Sequence, residues 1–576
     1  MIEKMTAYSF VLLSSDKERF LEDIRNLNVL DITRSVKPVD TRSEELVSQI
    51  DSRRALIDCL RKGSDSHLLE LISQKDALEK EASQLEVWGD YDRERLSQLG
   101  LGIHFYLCPA KKFQPEWPED FAIQTVLEED GKIWFVIVGN NEGFPLKELP
   151  APERTASEIQ SLADAKASEV QAYKAGLENR RGDIPQLEEE IRTLSSDLNL
   201  YLAGITAENA AEDSLTVFRG FAPTSLDGHL AQEFDKMDCV WSAAPATVED
   251  NPPVKLRNNW FARQFEVLTG MYGMPVYNEF DPTPILAPFF LLFFSMCMGD
   301  AGYGILLFII SFFLKKMDGG LGKFWRLVRF LGIGTFFIGI FLGTFFGISL
   351  FEQSWVPQWL KNCMLVEGNV GKIAGFDPQI VLAIAIGIFH ICLAMVVKTA
   401  CVTKQSGILN NLGTWGWTLL IVGGIIVAAF AIGGLLGGNA LRWTLIALGG
   451  ISALGILFFN KPGRNPLLNF GAGLWDTYNM ITGLLGDTLS YVRLYALGLA
   501  GGMLGGTFNR LAQMLLGEAP TWQWLPFILI ILFGHALNLA MSCLGAFVHP
   551  LRLTFVEYFK NSGYEGKGTK YNPLMK

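Results

Sequence analysis

The run Asp487-Thr488-Leu489-Ser490-Tyr491-Val492-Arg493-Leu494-Tyr495-Ala496-Leu497-Gly498-Leu499-Ala500 carries an arginine into an apolar helix rich in Leu and Gly. Inside a bilayer an ionisable side chain is costly, so Arg493 marks an ion path or a charge partner unless it snorkels to the headgroups. A second group, His549-Pro550-Leu551-Arg552-Leu553-Thr554-Phe555-Val556-Glu557, closes the last apolar stretch. Consecutive spans run antiparallel, which brings Arg552 and Arg493 to comparable depth. With Asp487, His535, His549 and Glu557 they predict one polar seam through hydrocarbon; a lone histidine would more often be simply hydrogen-bonded. Gly498, Gly502 and Gly506 repeat every fourth residue and clear one helix face for a close neighbour. Static helix packing fits that spacing equally, and is the reading for Gly339, Gly343 and Gly347.

A span able to hold these residues needs about 20 apolar residues. The stretches 328–350, 380–400, 412–436, 441–459, 488–515 and 525–551 qualify. The run 282–314 is longer and is interrupted by Gly299-Asp300-Ala301-Gly302-Tyr303-Gly304. Lys255, Arg257 and Arg263 precede it; Lys315, Lys316, Lys323 and Arg326 follow it. Cationic loops stay cytoplasmic, so a helical hairpin turning at Asp300 is expected, with one long tilted helix as the alternative. Eight spans with both termini inside result. Lys398, Lys404, Lys461, Arg464 and the 560–576 tail become cytoplasmic, and loops 351–379, 437–440 and 517–523 external. The segment 466–486, with Asp476 and Asn479, is expected to be a separate cytoplasmic or interfacial helix.

The 576 residues exceed one core, and residues 1–280 have ordinary soluble-protein charge. Segments 41–100 and 152–212 place apolar residues three or four apart between charges, which predicts an antiparallel coiled-coil arm; two ordinary amphipathic helices are the alternative. Gly63 and Gly182-Asp183-Ile184-Pro185 should break or bend that arm. Strands near 104–108, 122–127 and 133–138 predict a small distal lobe over 101–151. Residues 1–40 and 213–278 form a proximal lobe, with strands at 5–13, 29–32 and near 217–221 and a helix at 16–27. The expected domains are a cytoplasmic α+β domain, 1–278, and an α-helical polytopic membrane domain, 279–576.

The motifs LSYVRLYALGLA, HPLRLTFVEYF, the DPTP…MGDAGYG hairpin and YGMPVYNEFDPTP resemble subunit a of the rotary V-type and A-type ATPases, called subunit I in prokaryotes. They span 272–560; the soluble half agrees in layout only. The resemblance implies an eight-span stator in the cell membrane, beside a rotor ring of proteolipid c subunits. It also implies peripheral stalk subunits on the soluble arm, a central-stalk subunit of the d/C type and surrounding membrane lipid as partners. Arg493 matches the family's essential arginine, Arg552 its second, and His549 a histidine one turn earlier. Asp487, Ser490, Tyr491, His535, Ser542, His549 and Glu557 would line two ion half-channels, and Gly498, Gly502 and Gly506 would face the ring. Ser542 and Gly501 stand where eukaryotic members have a glutamate and a histidine. The short external loops suit a prokaryotic member.

The net charge of −11 gives no reason to expect nucleic-acid binding. The eight cysteines show no CxxC spacing and read as small hydrophobes in a reducing compartment, with no metal or cofactor expected. The N-terminus lacks the long apolar core of a signal peptide. No GxxxxGK[ST] occurs, so the chain itself is not expected to be an enzyme, and ATP chemistry falls to partner chains. A secondary transporter is the alternative; it would normally show repeated spans with paired broken helices, which the sequence lacks. Arg493→Ala should abolish ATP-coupled ion transport with the complex still assembled, and Arg493→Lys should not restore it, because a buried ammonium can lose its proton. Wild-type transport by either variant in reconstituted vesicles refutes the role.

Overall fold

A computed structural model describes the chain apart from residues 36, 89–99, 101, 115, 130, 151–153, 212–213, 317–320, 374, 435–436, 460–465, 517–522 and 576. Lys461, Arg464, Lys576, the external loop over 517–522 and the far end of the first arm segment lie outside the described residues. Two compact units result: Met1–Val11 with Arg219–Pro573, and Leu12–Phe218 with Leu574–Lys576.

In the second unit, α1 (Thr41–Lys62) packs on α4 (Ile184–Thr206), and α2 (Ser66–Leu85) packs on α3 (Ala156–Asn179). The two interruptions expected from glycine occur at one level. Gly63 caps α1 in the left-handed region, and the turn Arg180–Asp183 lies opposite, where Arg181 Nε donates to Leu60 O at 3.0 Å. Leu60, Leu68 and Leu71 bury against Val170 and Leu177 across the pairs. Asp40 and Asp65 start α1 and α2 by accepting the Ser43 and Leu68 amides. The same carboxylates accept the Tyr201 and Tyr173 hydroxyls at 2.6 and 2.7 Å. A three-stranded antiparallel sheet in the order β1 (Ile103–Pro109), β3 (Lys132–Val138), β2 (Ile123–Glu129) buries Tyr106, Phe135 and Ile137 against Trp117.

In the other unit, α5 (Thr283–Met298) and α6 (Ala301–Lys316) are joined by Gly299 and Asp300 alone. Gly299, at φ 61°, ends α5 in a conformation that favours glycine. The third helix, α7 (Trp325–Leu342), packs on both. Along α7, Phe330 meets Phe261, Gly334 meets Leu291 and Ser295, and Gly339 meets the Asp300–Ala301 backbone; Gly332, further back, meets Phe308 of α6. The partners ascend along α5 and descend along α6, so the chain reverses at Asp300. A side chain at Gly339 would strike that backbone, whereas Gly343 and Gly347 lie beyond the helix in left-handed turns.

Among the described residues, five helices are long and apolar enough to cross a membrane: α7, α8 (Pro378–Ser406), α9 (Leu409–Ile432), α10 (Gly438–Phe458) and the last helix, Trp524–Ser562. At 16 residues each, α5 and α6 are about 24 Å long, less than the ~30 Å hydrocarbon layer. Before the last helix (α12) comes α11 (Pro466–Leu516), unbroken over 51 residues. The expected separate helix over 466–486 is instead the first part of α11. Polar Asp476, Asn479 and Asp487 do not interrupt backbone i to i−4 bonding, so polarity misplaced a boundary there. Residues 260–272, read with the soluble half, bury Phe265 and Leu268 among Phe290, Phe294 and Tyr558.

The phenol bonds from Tyr201 and Tyr173, followed by the capped amides, hold the Asp40 and Asp65 carboxyls below their ordinary acidity range. A lowered folded value stabilises above the unfolded carboxylate pKa of about 4 and is lost as pH falls through the folded value. Hydrogen exchange at the Ser43 and Leu68 amides should therefore quicken, relative to intrinsic rates, below about pH 4. Asp40→Asn with Asp65→Asn keeps the caps and should flatten that dependence; an unchanged profile would contradict the account.

Candidate functional site

The polar side chains of the membrane unit are set by the antiparallel register of α11 and α12. Leu497 lies against Gly545, Gly501 against Ser542 and Phe508 against Gly534. That register carries Arg493 to the level of His549, and Ser490 to the level of Arg552. Arg493 is half-buried, and its Nη1 is shielded from water with no hydrogen-bond partner among the described residues. His549 Nδ1 is shielded and unpartnered in the same way. Both arginine charges reach His549 electrostatically.

About one and a half turns along α12 from Arg552, in the cytoplasmic direction assigned from sequence, lies a carboxylate group. Glu557 is 2% exposed and its Oε2 has no partner among the described residues. Ser490, whose hydroxyl donates to Gly486 O at 3.0 Å, lies near it. Asn561 Nδ2 bridges Asp487 Oδ2 at 2.8 Å and the Glu557 carbonyl at 2.6 Å. Tyr491 belongs elsewhere: its ring fills the space left by Gly387, and its hydroxyl pairs with His390 Nδ1 at 2.9 Å.

A second polar group occupies the other end of the two helices. Asn509 Nδ2 donates to Phe346 O at 2.7 Å, leaving its Oδ1 to accept from His535 Nε2 at 2.9 Å. His535 Nδ1 therefore accepts from the Tyr303 hydroxyl, at 2.8 Å. Asn538 Nδ2 donates to Tyr303 Oη and to Gly501 O, and the Ser542 hydroxyl donates to Asn538 Oδ1. Asp300, 1% exposed, anchors this group. Its Oδ1 accepts from the Gly302, Tyr303 and Phe346 amides and its Oδ2 from Gly347.

The expected single seam is thus two groups: Asp487, Ser490 and Glu557 at one end, His535 and Ser542 at the other, with Arg493, Arg552 and His549 between. Glu557 and His535 are 22 residues apart, about 33 Å of helix, which is too far for one cluster. The glycine expectation also changes. A Cβ at Gly498 would lie 2.6 Å from Met296 O, and one at Gly506 3.1 Å from Gly347 O, so that face already packs on the chain's own turns. The exposed stripe of α11 that carries Arg493 is Leu489, Ala496, Ala500, Leu504, Thr507 and Leu511. On α12 the stripe is Leu537, Met541, Leu544, Val548, Arg552 and Val556. Sequence reading passed over Tyr303, His390, Asn509, Asn538 and Asn561. Uncharged amides inside apolar runs were the available signal.

A polytopic helical membrane protein with a half-buried arginine among small and apolar side chains on one helix is the class that fold and site define. The family model for the V-type ATPase 116 kDa subunit matches residues 214–348. The A-type ATP synthase subunit I of Methanocaldococcus jannaschii is 32% identical over 492 residues, 78% of this chain and 67% of that protein. That of Pyrococcus horikoshii is 30% identical over 73% of this chain, which spans only 60% of the relative's length. The V-type ATP synthase subunit I of Borreliella burgdorferi is 24% identical over the whole of both chains. The chain belongs to this family of V/A-type ATPase membrane subunits.

Asp300→Ala would strand four backbone donors in a buried turn, each worth about 1–3 kcal/mol when left unsatisfied. The detergent-purified protein should melt several degrees lower, with Asp300→Asn intermediate. A melting temperature equal to wild type for the alanine variant would refute the anchoring role.

Proposed function

We propose that the chain is the stator of the membrane sector of a rotary V/A-type ATPase, with Arg493 as the charge that discharges the rotor. The observation that carries this reading is an Arg493 guanidinium nitrogen withdrawn from water, unpaired within the chain, on a stripe of small and apolar side chains. A buried unpaired charge is costly, so a partner from outside the chain is the economical explanation. A ring of proteolipid helices presenting one carboxylate at a time supplies that partner.

In lipid the rotor carboxylate travels neutral, holding a proton or a bound cation. Opposite Arg493 in low dielectric its ionised form is favoured, and the ion is released. The group around Asp487, Ser490 and Glu557 serves the cytoplasmic half-channel, and the fixed charges of Arg493 and Arg552 prevent a continuous cation wire to the other side. Helices α5 and α6 with the six remaining helices complete eight spans in the cell membrane, both termini cytoplasmic. The paired helices α1–α4 form the coiled-coil arm that holds peripheral stalks, a central-stalk subunit contacts the rotor, and ATP is hydrolysed by partner chains.

In the intact complex, Ala496→Cys and Ala500→Cys should form oxidative cross-links with cysteines placed on the outer helix of the proteolipid ring. A cysteine at Gly471, on the same helix but in the part expected to stand clear of the bilayer, should not. Failure of both alanine positions to cross-link in an assembled, ATP-hydrolysing complex would remove this reading.

A further inference from the structure

At the end of α6 away from Asp300, three cations crowd one indole. Trp325 opens α7, and its ring centre lies 5.6 Å from Lys315 Nζ, 5.2 Å from Arg326 Cζ and 4.6 Å from Arg329 Cζ. Arg329 also stands over the Phe312 ring, at 4.5 Å. Its Nε donates to Ser311 Oγ at 3.4 Å, and its two terminal nitrogens have no hydrogen-bond partner among the described residues. Lys315, Arg326 and Arg329 form no ion pair among the described residues either. Asp318, the acid in the segment that links α6 to α7, lies outside them.

Like charges gathered round one ring repel each other unless an anion is shared between them. The aromatic faces offset part of that cost, but they leave the forked donors of Arg329 unused, and such a fork fits the oxygens of a phosphate. Depth indicates where the phosphate comes from. Arg329 is level with Ser311, between one and two turns short of the end of α6 at Lys316, the end assigned to the cytoplasm from sequence. On α7 the next residue, Phe330, meets Trp260 with ring centres 5.1 Å apart, and Trp260 is 72% exposed. Two indoles at one level mark the headgroup layer. Deeper along α7, Ile333 and Phe337 continue the face of Arg326 and Arg329 at helical spacing, both exposed. A guanidinium just below the surface, above a bare apolar face, matches a molecule that carries phosphate and acyl chains together.

We propose that Lys315, Arg326 and Arg329, gathered round Trp325, bind the phosphate of an anionic phospholipid of the cytoplasmic leaflet, whose acyl chains lie on Ile333 and Phe337. Arg329 grips the phosphate oxygens, the Trp325 and Phe312 rings hold its guanidinium in place, and Lys315 and Arg326 add charge from the surface. Because the cations come from both helices, the bound phosphate ties the end of α6 to the start of α7. The inference goes beyond the stator reading and needs only the membrane assignment.

The test is a lipid titration of the full chain in detergent, with bound lipid counted by native mass spectrometry and folding checked by melting temperature. Phosphatidylglycerol should bind at least about tenfold more tightly than zwitterionic phosphatidylcholine. Arg329→Ala should weaken phosphatidylglycerol binding about tenfold, and Arg329→Lys should recover only part of it, since an ammonium lacks the fork. Arg329 is half-buried, so the double variant Lys315→Ala with Arg326→Ala tests the same site at two exposed positions. It should also weaken binding about tenfold, at an unchanged melting temperature. Lys404→Ala removes an exposed cation from the last turn of α8 and should leave binding as it was. Equally tight phosphatidylcholine, undiminished affinity in the double variant, or an equal loss in Lys404→Ala overturns the proposal. Displacement of the lipid by equimolar inorganic phosphate overturns it too, by making the site one for the free anion.

Discussion

One guanidinium nitrogen of Arg493, shielded from water and without a hydrogen-bond partner among the described residues, governs the membrane unit. Hydrogen-bonded charges are found throughout folded proteins, but an unpaired buried one is an unfinished interaction. Among the described residues no carboxylate pairs with Arg493, and His549, at its level, is itself unpartnered at Nδ1. The acids on the same two helices, Asp487 and Glu557, lie a helical turn or more away; Asp487 accepts from Asn561, and Glu557 Oε2 has no partner among the described residues. The arrangement keeps the arginine free of internal neutralisation while its neighbours remain polar.

Asp300 holds the geometry that allows this. Four backbone amides from two turns converge on one buried carboxylate, and the Thr344 hydroxyl donates to Gly299 O beside it. Gly347, fixed by one of those bonds, touches the backbone at Gly505 and Gly506. The helix reversal, the turn after α7 and the face of α11 behind Arg493 are thereby tied together. The glycines of α11 have their explanation in that contact.

Much of this was legible in the sequence because its causes are local. Arg493, Arg552 and Glu557 announce themselves by the cost of charge among apolar residues. Asp300 follows Gly299 and interrupts an apolar run, and Gly63 and Gly182 mark breaks in the paired helices at one level. The three strands of the small lobe follow from alternation and turn residues. What escaped depends on azimuth and on distant partners. A four-residue glycine repeat says that one face is clear, not which element fills the space, and α5 and the turn after α7 fill it here. The single seam divided because helix rise separates His535 from Glu557. The continuity of α11 was hidden because Asp476, Asn479 and Asp487 look like a boundary, although helical hydrogen bonding needs only backbone.

That continuity has a mechanical meaning. Helical throughout, with no proline after its first residue and no π-bulge, α11 is about 77 Å long. Arg493 stands 27 residues from its Pro466 end, a lever arm of about 40 Å. Tilting the beam by about 5° at the arginine displaces that end by roughly 3.5 Å, close to the thickness of a side chain. A tilt of the helix at the level of the charge is therefore carried along the same rod to its opposite tip.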